Sequence, residues 1–454
     1  MAGLRGGPAP LTLALTGDSM ITRRMARDAD PPTRALFDII HAADVAFTNV
    51  EVVANGFRGH PSSQNGGSHI AAEPFVLDEL LAAGFNLFAA GNNHSLDYGI
   101  AGLLATMKEM DRRGMTYAGI GHTLDAARLP VYMDSGSGSV GLVACCATLA
   151  PGQEAGLQRP DMQGRPGVTP LHIDTVHEVT PAQLVCLRAI AIELGVTREL
   201  EQSIQLGFSF PPEPGELSFL GARFRAASQA ALRSAPRSDD LAAMARSVRD
   251  ARARADVVLF SLHVHDQPDD PEQPADHVQS FARQMIEAGA DLVTVHGPHL
   301  LRGMELYHER PIFYSLGNFF AQNELVARLP ADSYHKFRVA QDRSAAELYH
   351  LRSDGDRRGF GAERRYWEAV LPVCRFADGR LESITVHPVC LRFGENIHRR
   401  GRPRLAIGDT ATSVLERFAR LSAKFDVRME VGHGRAELSL ARLSPPPMLP
   451  TRSA

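Results

Sequence analysis

Six short apolar runs in this chain are each followed within a few residues by side chains able to bind a metal or move a proton. Asp18 follows "LALTG", Glu51 follows "VAFTN", and Asn92, Asn93, His94 and Asp97 follow "LFAAG". Further along, His263, His265 and Asp266 follow "VVLFSL", His296 and His299 follow "DLVTV", and Asn318 follows "IFYSLG". Carboxylate, carboxamide and imidazole together suit Mn, Fe, Zn or Co better than a calcium cage or a thiolate site. Two carboxylates and at least three histidines exceed the three protein ligands that one catalytic metal usually takes. The surplus points to two divalent metal ions roughly 3.5–4 Å apart, an arrangement that grips a phosphoryl-like group and activates water. Each residue alone has a plainer reading. Asp18 in "TGDS" has turn chemistry, Glu51 reads as a surface charge, Asp97 as a helix cap and Asn318 as a loop amide. The shared placement at strand ends argues for the site, because open α/β sheets bind ligands beyond the carboxyl ends of their strands.

The elements that must position these groups are legible as alternation. "LTLALTG" (11–17), "DVAFTN" (44–49), "FNLFAAG" (85–91) and "GLVACCA" (141–147) read as buried strands. Between them "AEPFVLDELLAAG" and "AGLLATMKEMDRRG" carry apolar residues at helical spacing, each stopping at a glycine, Gly84 and Gly114. Strand and helix in turn predict an α/β architecture. Residues 150–237 change texture, with one helix ("PAQLVCLRAIAIELG") and a loop-like "FSFPPEPGELSF", and read as an insertion that lids a site. Ser238 is a candidate helix N-cap, followed by Asp239 and Asp240. Residues 321–367, polar and arginine-rich, read as a second insertion. "YWEAVLPVCRF" and "RLESITVHPVCLRF", separated by "ADG", predict a hairpin. Within a core spanning 10–400, these are the two interruptions. A helix and a strand over 401–442 form a C-terminal extension, and 443–454 reads as a disordered tail.

Bulk properties exclude some functions. The 454 residues carry a net charge of −4, which gives no general attraction to nucleic acid or anionic membranes. "HRRGRPR" at 398–404 is a local basic cluster that reads as a solvated loop. The five cysteines form no CxxC pair and four lie in three apolar runs, as expected of buried reduced thiols in a cytoplasmic protein. No segment approaches the roughly 20 apolar residues of a spanning helix, so no membrane association is expected.

"GDSM", "NVE", "AAGNNHSLDYG", "SLHVH", "HGPHLLRGMELY" and "PIFYSLGNFF" occur in an order that resembles the CapA family of poly-γ-glutamate (capsule) biosynthesis proteins, itself similar to calcineurin-like metallophosphoesterases. The resemblance runs from about Leu11 to about Phe320. It implies a four-layer α/β/β/α sandwich with a dinuclear centre at the strand ends. By position it implies metal ligands at Asp18, Glu51, Asn93, His263, His296 and His299, a proton donor at His94 and an orienting carboxylate at Asp97. Asn92, His265, Arg302, Glu305 and Asn318 would face substrate or support the ligands. Three departures are visible. Asp18-Ser19-Met20 stands where the superfamily usually has Asp-x-His, Gly297 stands where many members double a histidine, and the membrane anchor that many members carry is not expected here. The implied activity is metal-dependent hydrolysis of a phosphoester or amide in a small-molecule or polyglutamate-like anionic substrate. The alternatives are a capsule-biosynthesis component binding γ-glutamyl chains, with Arg302, Arg23 and Arg24 as candidate cations, or a scaffold with a decayed site.

Overall fold

A computed structural model describes residues 9–25, 30–65 and 67–440; the predicted tail at 443–454 lies outside them. The chain is a mixed α/β protein with several sheets, and it divides into two compact units. The larger runs to Pro170 and resumes at Ala242; the smaller is Leu171–Leu241.

In the larger unit the first three runs form parallel strands of one sheet, and the fourth, 141–147, lies in a strand of the other. Leu11–Met20 pairs with Val45–Val50, which pairs with Leu87–Ala89 and then with the unpredicted Thr116–Ala118. On its other side Leu11–Met20 meets Glu368–Ala377, whose hairpin partner Arg380–Cys390 continues the sheet. That hairpin turns on Asp378 and Gly379, both at positive φ (51° and 71°), the backbone that two-residue connections between twisted strands favour. A second sheet has the order Met304–Tyr307, Arg310–Phe313, Leu292–His296, Val257–His263, Gly138–Cys146 and Val131–Ser135.

Period-two burial packs one sheet on the other. Leu11, Leu13, Leu15, Val45, Phe47 and Leu87 share an apolar cluster with Val140, Leu142, Val257, Leu259 and Leu292. The opposite face of the first sheet, with Ala14, Ala46 and Phe88, is covered by Leu36, Ile40, Val76, Leu80, Leu103 and Met107 from helices Pro31–His41, Phe75–Ala82 and Gly99–Arg112. On the second sheet Phe260 meets Phe281 of helix Asp276–Ala288 edge-on, ring centroids 5.5 Å apart. The C-terminal region is part of this body. Helix Gly408–Ala423 sends Val414, Phe418 and Leu421 into the inter-sheet cluster, and Arg435–Ser439 adds a strand beside Arg380–Cys390.

Four local readings need revision. The first strand does not end before Asp18: it runs on to Met20, with its register broken at Asp18. Asn318 opens a strand, Asn318–Ala321, that lies parallel to it. Gly17 and Gly317 permit this crossing, because a Cβ on Gly17 would lie 1.7 Å from the Gly317 carbonyl oxygen. Ser238 is the first helical residue, since the Arg237 carbonyl accepts from Leu241 N at 3.0 Å. The basic 398–404 cluster is not wholly solvated: Arg400 is buried and grips Glu324 and Asp356.

The smaller unit has more order than its composition suggests. Its sheet runs Glu216–Phe219, Ala222–Ala226, Ile173–Val179, Ala231–Pro236, with helices Pro181–Glu193 and Val196–Gln205. Thr180 and Gln183 cap the first helix reciprocally. Residues 150–170 belong instead to the larger unit, where Gly167–Val168 pairs with Ile120–Gly121.

Helix Pro31–His41 offers a direct stability test. Asp30 accepts from Thr33 N at 3.0 Å and pairs with Arg392 at 2.6 Å. Burial opposes its ionisation, but Thr33 and Arg392 together outweigh it and bring its carboxyl down to about 2. A depressed acid stabilises above its ordinary value of 3.8 and loses that contribution as pH falls through about 2. Asp30→Ala should cost about 1 kcal/mol at neutral pH, as lost caps typically do. The difference from wild type in denaturant midpoint should shrink below pH 3 if this carboxylate carries it.

Candidate metal centre

Strand ends from both sheets converge on one buried cluster. Asp18 sits at the register break of its strand, and Glu51 directly follows Val45–Val50. His263 and His296 are neighbouring last residues of parallel strands. Asn49 ties the sheets together, donating from Nδ2 to Asp18 Oδ1 at 2.8 Å and to His263 Nδ1 at 3.3 Å. Around Asp18, His296 Nδ1 lies 3.3 Å from Oδ1 and His299 Nδ1 lies 3.4 Å from Oδ2. Gly297 N donates to Asp18 Oδ2 at 3.1 Å. Gly297 holds φ +111°, and a Cβ there would meet the Val264 carbonyl oxygen at 2.4 Å, so this backbone excludes a second histidine at that position.

Glu51 is the hub. His263, His94 and His299 place Nε2 at 3.7, 3.9 and 3.9 Å from its Oε1. Two groups have ligand atoms all within 4.8 Å of one another: Glu51, His263 and His265, and Asp18, Glu51 and His299. Both are buried or nearly so and could hold metal ions, and Glu51 is common to both. His265 therefore joins the cluster, with Nε2 3.3 Å from that of His263.

Charge and hydrogen bonding fit cations here. Both Glu51 carboxylate oxygens are buried without a hydrogen-bond partner, as are Asn93 Oδ1 and both ring nitrogens of His296. An unpartnered buried carboxylate is costly. Burial first, and the Asp18 charge second, push Glu51 up to about 8. Asp18 goes the other way: burial opposes its ionisation, but His296 and His299 outweigh it and hold it well below the ordinary range. Burial and the neighbouring His299 drive His265 down to about 3, leaving its imidazole neutral and available as a ligand. These oxygen and nitrogen donors match a pair of divalent ions.

Beside the cluster lies a hydrogen-bonded pair, His94 and Asp97. His94 Nδ1 donates to Asp97 Oδ2 at 2.8 Å, and that same oxygen accepts from Ile70 N at 2.7 Å. Asp97 thus fixes the ring; it does not cap the next helix, whose N-cap Tyr98 makes no side-chain cap bond. Burial opposes the charged form of His94, but Asp97 and Glu51 overcome it and raise the ring above its ordinary value. Asn92 holds the turn, donating to the Val50 carbonyl at 2.8 Å and accepting from His94 N at 3.1 Å. Asn318 Oδ1 lies 2.8 Å from His299 Nδ1, which stands on a strained backbone at φ +58°.

Arg302 and Glu305 are engaged by partners outside the cluster. Arg302 is 1% exposed and bonded to Asp266 Oδ1 at 2.7 Å, so its guanidinium is not free for a substrate. Glu305 is taken by Arg283 at 3.0 Å and by the Tyr314 hydroxyl at 2.5 Å. Sequence reasoning passed over Asn49, although it stands two positions before Glu51 at the same strand end. It also passed over Gln153, which donates to the Asn93 carbonyl at 3.1 Å, and Thr148, whose hydroxyl accepts from His265 N at 2.7 Å. Among the described residues no helix is long and apolar enough to cross a membrane.

Comparison with known proteins finds relatives along most of the chain. Uncharacterized protein y4sH of Sinorhizobium fredii is 32% identical over 437 residues, covering 92% of this chain and 91% of that one. The capsule biosynthesis protein CapA of Bacillus anthracis is 22% identical over 76% of this chain and 65% of its own length. The PGA biosynthesis protein CapA of Bacillus subtilis is 22% identical over 68% and 63%. Residues 12–323 match the family described as bacterial capsule synthesis protein PGA_cap, a span that holds every residue of the cluster, and the chain belongs to that family.

Proposed function

We propose that this chain is a metal-dependent hydrolase of a phosphoester or amide bond, built on a four-layer metallophosphoesterase-like sandwich. The observation that carries the proposal is the orphaned Glu51 carboxylate, shared by two ligand groups and flanked by the hydrogen-bonded His94–Asp97 pair. Asp18, Glu51, Asn93, His263, His296 and His299 would hold two divalent ions, with His265 supplying the imidazole that Met20 does not. When bound, such ions polarise the scissile group and lower the pKa of water. The chain's own residues do the rest. His94 Nε2 faces the cluster and gives its proton to the departing oxygen or nitrogen. Asp97 keeps that ring turned inward, and Asn318 steadies His299.

The names of the Bacillus relatives suggest a second reading, a component that binds γ-glutamyl chains during capsule synthesis. It would need cations for carboxylates, and two of the expected ones are committed elsewhere, Arg302 to Asp266 and Arg24 to Glu79. An anionic small molecule is the substrate class we favour.

The test is metal removal. Protein purified without chelators should carry about two equivalents of divalent metal, and should hydrolyse p-nitrophenyl phosphate or a γ-glutamyl anilide. Chelation should abolish turnover, and one of Mn, Fe, Zn or Co should restore it. A chain that retains no metal and is indifferent to chelator would be a scaffold.

A further inference from the structure

A cavity of about 300 Å³ opens beside the metal centre, lined in part by Asn318, Phe360 and Tyr366. This is the low end of the size range of small-molecule sites. Asn318 belongs to both places, since it lines the cavity and bonds His299. The Phe360 ring stands 5.3 Å from the His299 ring and 4.5 Å from that of Tyr366. Phe360 is also 38% exposed, unusual for an aromatic packed against a buried histidine. It begins a short turn after Gly359, whose φ of 74° and ψ of −159° are a combination essentially confined to glycine. Its backbone carbonyl is held by Trp367 Nε1 at 2.7 Å. An apolar ring is thus presented to open space at the rim of a highly polar centre.

The charges of the cavity favour an anion. Glu324 and Asp356 line it, but both are gripped by Arg400. Arg352 and Arg358 also line it, and among the described residues neither is paired with a carboxylate. Arg352 lies over the Phe337 ring at 4.8 Å, and Arg358 Nε donates to the Arg352 carbonyl at 3.0 Å.

We propose that this cavity is the substrate-selecting subsite of the centre, and that it takes a planar ring bearing an anionic group, the ring stacking on Phe360 and the anion reaching the Asp18–Glu51–His299 cluster. A flexible acyclic polyanion has no face to set against Phe360. The proposal rests on the hydrolase reading for which group is cleaved, but ring binding can be measured without turnover.

The single tryptophan, Trp367, lines the same cavity and reports its occupancy by fluorescence. Metal-loaded full-length chain would be titrated with phenylphosphonate, AMP, glycerol 2-phosphate and tri-γ-glutamate. The two ring-bearing anions should bind at least tenfold more tightly than the two without rings. Tighter binding of AMP would mark a nucleoside-sized ligand, and equal binding of phenylphosphonate a simple aryl one; both support the proposal. Phe360→Ala should erase the preference and Phe360→Tyr should keep it. Because Phe360 is partly exposed, its removal leaves no core cavity, and unchanged far-ultraviolet circular dichroism would show that the variant is folded. Equal binding of all four probes, or a preference that survives Phe360→Ala, overturns the subsite. Ring-selective binding without hydrolysis of any phosphoester or amide leaves the subsite standing and defeats the hydrolase.

Discussion

Glu51→Gln should lower divalent-metal affinity by more than about 100-fold, beyond the roughly 10–100-fold typical of outer-shell partners, and should take turnover down with it. The reason is position. Glu51 is fully buried, has no hydrogen-bond partner for either oxygen and belongs to both candidate ligand groups. Glutamine keeps the shape and removes the charge. The metal-free variant should therefore be at least as stable as wild type, which separates a ligand from a structural carboxylate. The pH dependence gives a second signature. Glu51 is raised from 4.5 to about 8 in the folded, metal-free chain. Between those values the fold keeps a proton that the unfolded chain has released. Metal-free wild type should thus lose stability as pH rises from 4.5 toward about 8, and the Gln variant should show less of this slope. Thermal melts at pH 5 and pH 8, with elemental analysis, would check both. A Gln variant that binds metal like wild type would remove Glu51 from the centre.

His94→Ala should leave metal content intact and reduce kcat by roughly 10²–10⁴-fold, the usual worth of a positioned proton donor. The loss should be largest on alkyl esters and small on p-nitrophenyl esters, whose leaving group departs without a proton. Asp97→Asn should act in the same direction but more weakly, because it disturbs the ring's orientation and charge without removing it. Leaving-group dependence measured for both variants tests the assignment. An equal loss on good and poor leaving groups would mean that His94 serves the metal or the fold and not the proton.

Much of this centre was visible in the sequence because parallel strands deliver their last residues to one edge. A run such as "VVLFSL" followed by His263 states both the burial and the exit point. Asp18 was found for a partly wrong reason. It looked like a residue beyond a strand, whereas the strand continues and breaks register there. The break involves both partner strands, Val45–Val50 and the one that begins about 300 residues downstream at Asn318, and no local pattern encodes it. Asn49 was hidden because a buried asparagine in a strand has no periodic signature; its value lies in bridging Asp18 and His263 from different sheets. Phe360 sat in a polar stretch with no alternation, so its approach to His299 depends wholly on tertiary packing. The strands of the Leu171–Leu241 unit were missed for a related reason. They are short and half-exposed, and alternation over four to seven residues is a weak signal.

The Asp18–Gly297 hydrogen bond spans 279 positions of chain. During synthesis at roughly 5–20 residues per second, the second half of the cluster leaves the ribosome about a quarter of a minute to a minute after the first. A nascent chain therefore holds Asp18 and Glu51 without the histidines that complete their surroundings. Under the proposed function, ion capture would wait for the sheets to close on each other, and metallation would report completed folding.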